Sequence, residues 1–456
     1  MFDSVFNRFI EQSPIPVMLN SVLERTLSPE KIDHCFEQAT DKQYKRTLLF
    51  SSIFEVMGLV VFKVFPAINT AYKQKKEDLG VSITSVYNKL NGLELGISQQ
   101  LVRNTGAEHA EIIAELKGEK APLISGYRIK MLDGNCIEAT EHRLGVLRET
   151  NAGPLPGKSL VVYDPITELA IDVFPCEDGH SQERSLLKQV VPSVEGQDIW
   201  LMDRNFCVRS FLFGIKDRNG FFIVRQHGQL PYTVLTAQKK VGKTETGDIY
   251  EHWIEVVDEE GKAHKFRRIV IKLKKATRDK DKELYIITNL PKKDASAKLI
   301  SDVYRKRWNI ETMFQELESH LHSEINTLGY PKAALFGFCV ALVAYNTLSV
   351  LKAALRGQYG EEVVANELSA YYIAGNITRT YDGMMIAIPT TQWDIVKEMS
   401  LKAFCLFLLE LANKVDLEKY KKSKRGPKKP RPKRDKHKGS PHVSTARLLA
   451  AKKSGK

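Results

Sequence analysis

The stretch Ala333–Leu351 runs for 19 residues without a charge, and such a segment has two destinations. About 20 apolar residues span a bilayer, but an equally apolar helix also forms the centre of a globular core. Gly337, Asn346, Thr347 and Ser349 interrupt the run, and polar groups in mid-span are costly in lipid. The expectation is therefore a buried helix in a chain with no membrane partner. The rest of the chain must cover that helix, and 456 residues with 43% hydrophobic content are enough for about three domains.

Punctuation along the chain divides it. Residues 1–120 show helical periodicity, clearest through Leu48–Phe65, and few strand signals. Within them Gly80-Val-Ser82-Ile-Thr84-Ser-Val86-Tyr87-Asn-Lys89-Leu90 fits the turn and capped start of a helix-turn-helix recognition helix, and fits an ordinary capped helix as well. From 121 the texture changes to short strands at 126–132, 135–139, 158–164 and 168–174. A helix near 181–190, a strand at 199–202, a helix near 206–217 and a strand at 220–225 follow, which is an α/β pattern.

Three acidic residues stand out. Tyr127–Asp133 alternates apolar and polar residues up to Asp133-Gly134, as a strand ending in a carboxylate does. Ile199-Trp-Leu-Met-Asp203 is a continuous apolar run, the mark of a buried parallel strand, and it too ends in a carboxylate. Ligand sites gather at the carboxyl ends of such strands. The third, Glu311, lies on a helix expected to open at Tyr304 and run to about His322. At about 100° per residue, Tyr304, Arg307, Glu311, Gln315 and Glu318 form one stripe beside the apolar stripe Ile310, Phe314, Leu317 and Leu321. A solvated face with local Arg–Glu pairing would look the same. The set of two strand-end aspartates and a helix-borne glutamate is more specific than any member.

Asp133-Gly, Asp203-Arg-Asn-Phe and Tyr304-x2-Arg307-x3-Glu311 together resemble the motifs of DDE transposases of bacterial insertion sequences, in the insertion-sequence-four group with its Tyr-Arg-Glu-Lys signature. Asp178-Gly-His180-Ser-Gln182-Glu183-Arg184, Phe222-Ile-Val-Arg225-Gln-His227 and the basic C-terminus extend the likeness over nearly the whole chain. One departure is visible: the family's lysine, seven residues after the glutamate, falls at Glu318. Either a neighbouring cation substitutes, or the DNA end is handled differently.

The resemblance implies a ribonuclease-H-like catalytic core, 121–229 and 296–418 with C-terminal helices, interrupted by a β-rich insertion domain at 230–295. Between Asp203 and Glu311 lie 107 residues, too many for one helix and strand. A helical DNA-binding domain at 1–120 would precede this core, and a disordered basic tail at 419–456 would follow it. The implied substrate is double-stranded DNA, transposon ends and target, held by a homodimer in a synaptic complex. The implied reaction is cut-and-paste transposition through hairpin ends.

Phosphodiester cleavage and strand transfer need charge neutralised on the attacking and leaving oxygens. Two Mg²⁺ ions about 3.5–4 Å apart, or Mn²⁺ in their place, do this, and carboxylates suit such hard cations. Asp133 would bridge the metals, with Asp203 and Glu311 flanking. Arg307 would hold phosphate bidentately and Tyr304 would hydrogen-bond a backbone oxygen near the scissile bond. His180, Arg204 and Arg225 would contact DNA, and Trp253 would stack an unpaired base at its end. Two alternatives stay open: a metal-dependent nuclease of the same fold without strand transfer, and a non-catalytic DNA-binding repressor derived from a transposase.

Charge agrees with a nucleic-acid partner. The formal net charge is +13, and residues 419–456 alone carry 16 Lys/Arg against Asp435, or +15, leaving 1–418 at −2. Such a tail has little to bury and a general affinity for phosphate. The six cysteines show no ligand spacing, and Met1-Phe-Asp3 does not open a secretory signal, which points to a reducing cytoplasm; the resemblance implies a bacterial, nucleoid-associated one.

Overall fold

Local capping starts the helical part of the chain. Asp3 accepts from the Phe6 amide ahead of α1 (Ser4–Gln12), and Ser28 with Pro29 opens α3 (Pro29–Ala39), after α2 (Pro14–Thr26). Next come α4 (Phe50–Val61), α5 (Ile68–Leu79), α6 (Ile83–Gly92) and α7 (Leu95–Glu115). Between α5 and α6, Gly80 takes the left-handed conformation (φ 59°) and the Ser82 hydroxyl accepts from the Ser85 amide, so the expected turn and cap are present. Val86 and Leu90 are buried, and α6 packs on a later helix.

The computed structural model describes residues 2–40, 48–137, 156–277, 280–325 and 327–423. Met1–Lys421 cluster as one unit and Lys422–Lys456 as another. Only 422 and 423 of the second are described, so the reading of a disordered basic tail falls outside the described residues.

Strands β1 (Arg128–Ile137), β2 (Gly157–Asp164) and β3 (Leu169–Cys176) form an antiparallel meander. After them come α8 (Leu187–Val190), β4 (Asp198–Met202), α9 (Arg209–Asp217) and β5 (Phe221–Arg225). Then β6 (Thr233–Val234), β7 (Lys239–Lys243), β8 (Gly247–Val257), β9 (Ala263–Leu273) and β10 (Glu283–Thr288) follow. Helices close the chain: α10 (Ala297–Arg305), α11 (Trp308–His320), α12 (Pro331–Tyr359), α13 (Glu361–Glu367), α14 (Ala370–Ala387), α15 (Thr390–Lys397) and α16 (Leu401–Asn413).

A ten-stranded mixed sheet carries the α/β architecture, in the order β3-β2-β1-β4-β5-β10-β9-β8-β6, with β7 also on β8. β1, β4 and β5 are parallel to one another and the other pairings are antiparallel. Because strand side chains alternate, the apolar run of β4 serves two cores at once. Ile199 and Leu201 join the large core with α12, while Trp200 and Met202 join a second core with Phe206, Phe211 and Phe222. The uncharged run of α12 is buried in the first core, against α7, α4, α16 and β3. Asn346 is satisfied there by both backbone groups of Ala170, at 2.8 Å each.

Two expectations need correction. Asp133-Gly134 does not end a strand: β1 stays paired with β2 through Ile137, so 126–132 and 135–139 are not separate strands among the described residues. What ends there is the pairing with β4, whose last register pair is Leu132–Met202. Secondly, Tyr304 and Glu311 lie on different helices, whereas the strands within 230–295 continue the core sheet, β10 pairing with β5 and carrying β9 and β8 outward. The amides of Lys306 and Arg307 bond three residues back, to Val303 and Tyr304, and this tight turn separates α10 from α11. The helices expected near 181–190 and 206–217 are shorter, each preceded by a 3₁₀ turn, at Glu183–Leu186 and Arg204–Phe206.

Candidate active site

Two parallel strands deliver two aspartates to one place. Leu132 of β1 and Met202 of β4 are register partners, so Asp133 and Asp203 each follow the same rung. The pairing of the two strands stops at that rung, and ligands of such sheets bind outside the carboxyl ends of parallel strands. Asp133 Oδ1 accepts from the Gly134 amide at 2.9 Å, and Asp203 Oδ1 accepts from the Asn205 amide at 2.6 Å, capping the turn that follows.

The third carboxylate arrives on α11, whose buried face carries Ile310, Met313 and Leu317. Lys352 of α12 donates to Glu316 Oε2 at 2.9 Å and fixes the helix further along. Arg307, at the start of α11, joins the parts: Nη1 is 3.0 Å from Asp133 Oδ2 and Nη2 is 2.5 Å from Glu311 Oε1. The expected i,i+4 pair thus exists, but the same guanidinium also reaches the strand.

Electrostatics follow from this crowding. Burial, reinforced by the charges of Asp203 and Glu311, pushes the Asp133 carboxyl up to about 6 against the pull of Arg307. Burial works against the Arg307 charge, but Asp133, Tyr304 and Glu311 outweigh it and hold its pKa above the ordinary value. Tyr304, now on α10, still faces this group: burial and then Asp203 push its phenol up to about 12, with Arg307 and Arg225 opposing. It stays a proton donor at neutral pH.

A folding consequence follows from Asp133. Its carboxyl binds protons more tightly folded than unfolded, so it favours the fold below pH 4 and that contribution is lost as pH rises through about 6. Asp133→Asn should therefore raise Tm at pH 8 and leave it nearly unchanged at pH 4, measured by thermal melts without metal. An equal shift at both values would exclude the buried charge as the cause.

Three carboxylates, without sulfur or imidazole, suit a hard divalent cation. Among the described residues, however, no three His, Cys, Asp or Glu side chains stand close enough to hold an ion as they are. The guanidinium lies between Asp133 and Glu311 where such an ion would have to compete.

The other candidates are more scattered. Arg225, at the end of β5, is paired with Asp281 at 2.7 Å. Arg204 is exposed on the turn after Asp203, and His180 is exposed, its amide donating to Asp178 Oδ1 at 2.9 Å. Trp253, 38% exposed on β8, stands opposite Arg267 on β9 and close in sequence pairing to exposed Val234 of β6. No hydrogen bond or ion pair among the described residues joins His180 or Trp253 to the three carboxylates. Glu318 is exposed on α11, and a cation does stand nearby, with Lys63 Nζ donating to the Ser319 carbonyl at 2.9 Å. All six cysteines are free thiols and four are buried.

Sequence reasoning gave no role to Glu183, which the fold brings to the same strand ends. Its Oε2 accepts from Asn205 Nδ2 at 2.5 Å. The signal lay in the quoted stretch Asp178–Arg184, but nothing local in it indicates that neighbour.

Residues 125–347 match the family model described as Transposase DDE domain. That span holds Asp133, Asp203 and Glu311, and the match supports a DDE transposase. Such a domain implies nuclease or transferase activity on DNA, and DDE transposase domains generally use divalent metal ions. No curated protein matches the chain. Among solved structures, a cryo-EM structure of the piggyBac transposase synaptic complex with hairpin DNA is 8% identical, covering 90% of this chain and 85% of that chain, at a TM-score of 0.39.

Proposed function

We propose that this chain is a cut-and-paste DNA transposase of the insertion-sequence-four group, which cleaves at terminal inverted repeats through hairpin ends and joins them to target DNA. The observation that carries the reading is the junction of Asp133 and Asp203, one residue past a shared rung of parallel strands, with Glu311 tied to Asp133 through Arg307. A repressor needs no such convergence of half-buried acids, two of them paired with one guanidinium.

Asp133, Asp203 and Glu311 would hold divalent metal, Mg²⁺ in the cell, whose chemistry is to neutralise charge on the attacking and leaving oxygens. Asp133 must be ionised to take part, and with a pKa of about 6 it is so at neutral pH. Arg307 is held by two carboxylates in this arrangement, and its planar fork is matched to phosphate oxygens as well. Engagement of the scissile phosphate would draw it off at least one carboxylate and so free ligands as substrate arrives. Tyr304 would donate its hydroxyl to a backbone oxygen. Trp253 would stack a base at the cleaved end, Arg204, Arg225 and His180 would line the DNA path, and the DNA-binding helices would lie within 1–120. A homodimer would bring two ends together.

Incubation of the full chain with pre-cleaved terminal-repeat DNA, Mg²⁺ and a target plasmid tests this. Covalent joining of the ends to plasmid is expected. Cleavage of uncut ends without any joining would mark a nuclease, and sequence-specific binding with neither step would mark a repressor.

A further inference from the structure

Asn205 is held by every polar group it has. Its amide donates to Asp203 Oδ1 at 2.6 Å, and its side-chain Nδ2 donates to Glu183 Oε2 at 2.5 Å. Arg184 Nε donates to both the Asn205 carbonyl, at 2.8 Å, and its Oδ1, at 3.1 Å. The adjacent pair Glu183-Arg184 therefore grips one residue from two sides. That residue in turn holds an oxygen of Asp203.

The other oxygen of Glu183 reaches the other strand. A methyl group at Gly134 would lie 2.2 Å from Glu183 Oε1 and 2.6 Å from its carboxyl carbon, so the carboxylate rests flush against the backbone beside Asp133. Only a residue without Cβ permits this approach. One side chain from the 3₁₀ turn Glu183–Leu186 thus touches β1 at Gly134 and the turn after β4 at Asn205, just past the last register pair of the two strands.

We propose that Glu183 is a positioning residue of this site: it fixes the Asp203 carboxylate through Asn205 and spaces it from Asp133 by its contact with Gly134. The inference rests on the reading of Asp133, Asp203 and Glu311 as metal ligands. The physical reason is that a carboxylate ligand is effective only when its orientation is set before the ion arrives, and loss of such supporting contacts costs about 10–100-fold in metal affinity or activity. Asp203 sits at a strand end followed by a short turn, where little else restrains it. The Glu183–Asn205 link supplies the restraint.

Calorimetric titration of the full chain with Mn²⁺, without DNA, provides a readout independent of cleavage. Glu183→Ala is expected to weaken Mn²⁺ binding about tenfold or more, with the metal-free melting temperature little changed. Glu183→Gln keeps the shape and an acceptor oxygen and should restore near wild-type binding. Asn205→Ala breaks the same link from the other side and keeps the test open if Glu183→Ala folds poorly. The double variant should be no worse than either single one, since residues acting through one contact are not additive.

Wild-type Mn²⁺ affinity in both Glu183→Ala and Asn205→Ala would overturn the proposal, as would additive losses in the double variant. If Glu183→Gln loses binding as fully as Glu183→Ala, the charge itself is required, and Glu183 is a ligand rather than a positioning residue. Asp203→Ala separates the two levels of the argument. Undiminished Mn²⁺ binding and cleavage there would overturn the metal-site reading, whereas their loss beside an unaffected Glu183→Ala would overturn only the role of Glu183.

Discussion

Replacing Asp133, Asp203 or Glu311 singly by alanine is expected to abolish Mg²⁺- or Mn²⁺-dependent cleavage of terminal-repeat DNA, by about a thousandfold or more, while leaving end binding largely intact. The asymmetry comes from charge. On the proposed reading each carboxylate would serve a metal-bound phosphodiester, but without metal each one would repel DNA phosphate, so its removal cannot weaken binding through lost attraction. The three losses should be similar in size, because the acids act as a unit and the remaining two do not hold an ion in the same geometry. Cleavage gels for activity and band shifts for binding, run on the same preparations, give the comparison. A variant that cleaves at near wild-type rate would remove its residue from the site.

Arg307→Ala should be nearly as damaging to cleavage, by about 100- to 1,000-fold, with an opposite sign in a second measurement. The guanidinium neutralises Asp133 and Glu311 directly, at 3.0 and 2.5 Å. Its loss leaves half-buried acids without their counter-charge, so the metal-free protein should melt earlier and the Asp133 carboxyl should move still higher than about 6. Added Mn²⁺ should then raise Tm by more in Arg307→Ala than in wild type, since no side chain competes for the carboxylates. Arg307→Lys restores a charge but not the fork and should recover stability better than cleavage. If Mn²⁺ stabilises Arg307→Ala less than wild type, Arg307 supports ion binding rather than competing with it.

Much of this arrangement was legible in the chain because it depends on local pattern. The continuous apolar run at Ile199–Met202 allowed only a strand buried on both faces, and β4 does feed two cores. The polar interruptions of Ala333–Leu351 fitted a protein interior, and Asn346 has its partners on β3. The spacing of Arg307 and Glu311 implied their contact directly, since four residues is one helical turn. It survived the break in the helix because it needs only the turns after Arg307.

Other features had no local signature. Asp133-Gly134 is a common turn dipeptide, yet here the β2 partner continues past it, and only the register with β4 shows why the carboxylate matters. The β-rich character expected of 230–295 is present as β6–β10, but whether strands close on themselves or extend a neighbouring sheet depends on which edge is free. The edge of β5 was free, and β10 took it.

By itself, then, the sequence determined the apolar strands and helices, the capped start at Ser82, the near neutrality of 1–418 and the identity of the acidic residues, because periodicity, capping and charge are properties of neighbours in the chain. The tertiary structure alone decided that Asp133 and Asp203 share a rung, that Arg307 spans two carboxylates and shifts the proton affinity of one, and that Glu183 reaches Asn205 and Gly134. Those contacts join residues far apart along the chain, and each depends on strand register and burial, which arise only when the sheet and the helices over it pack together.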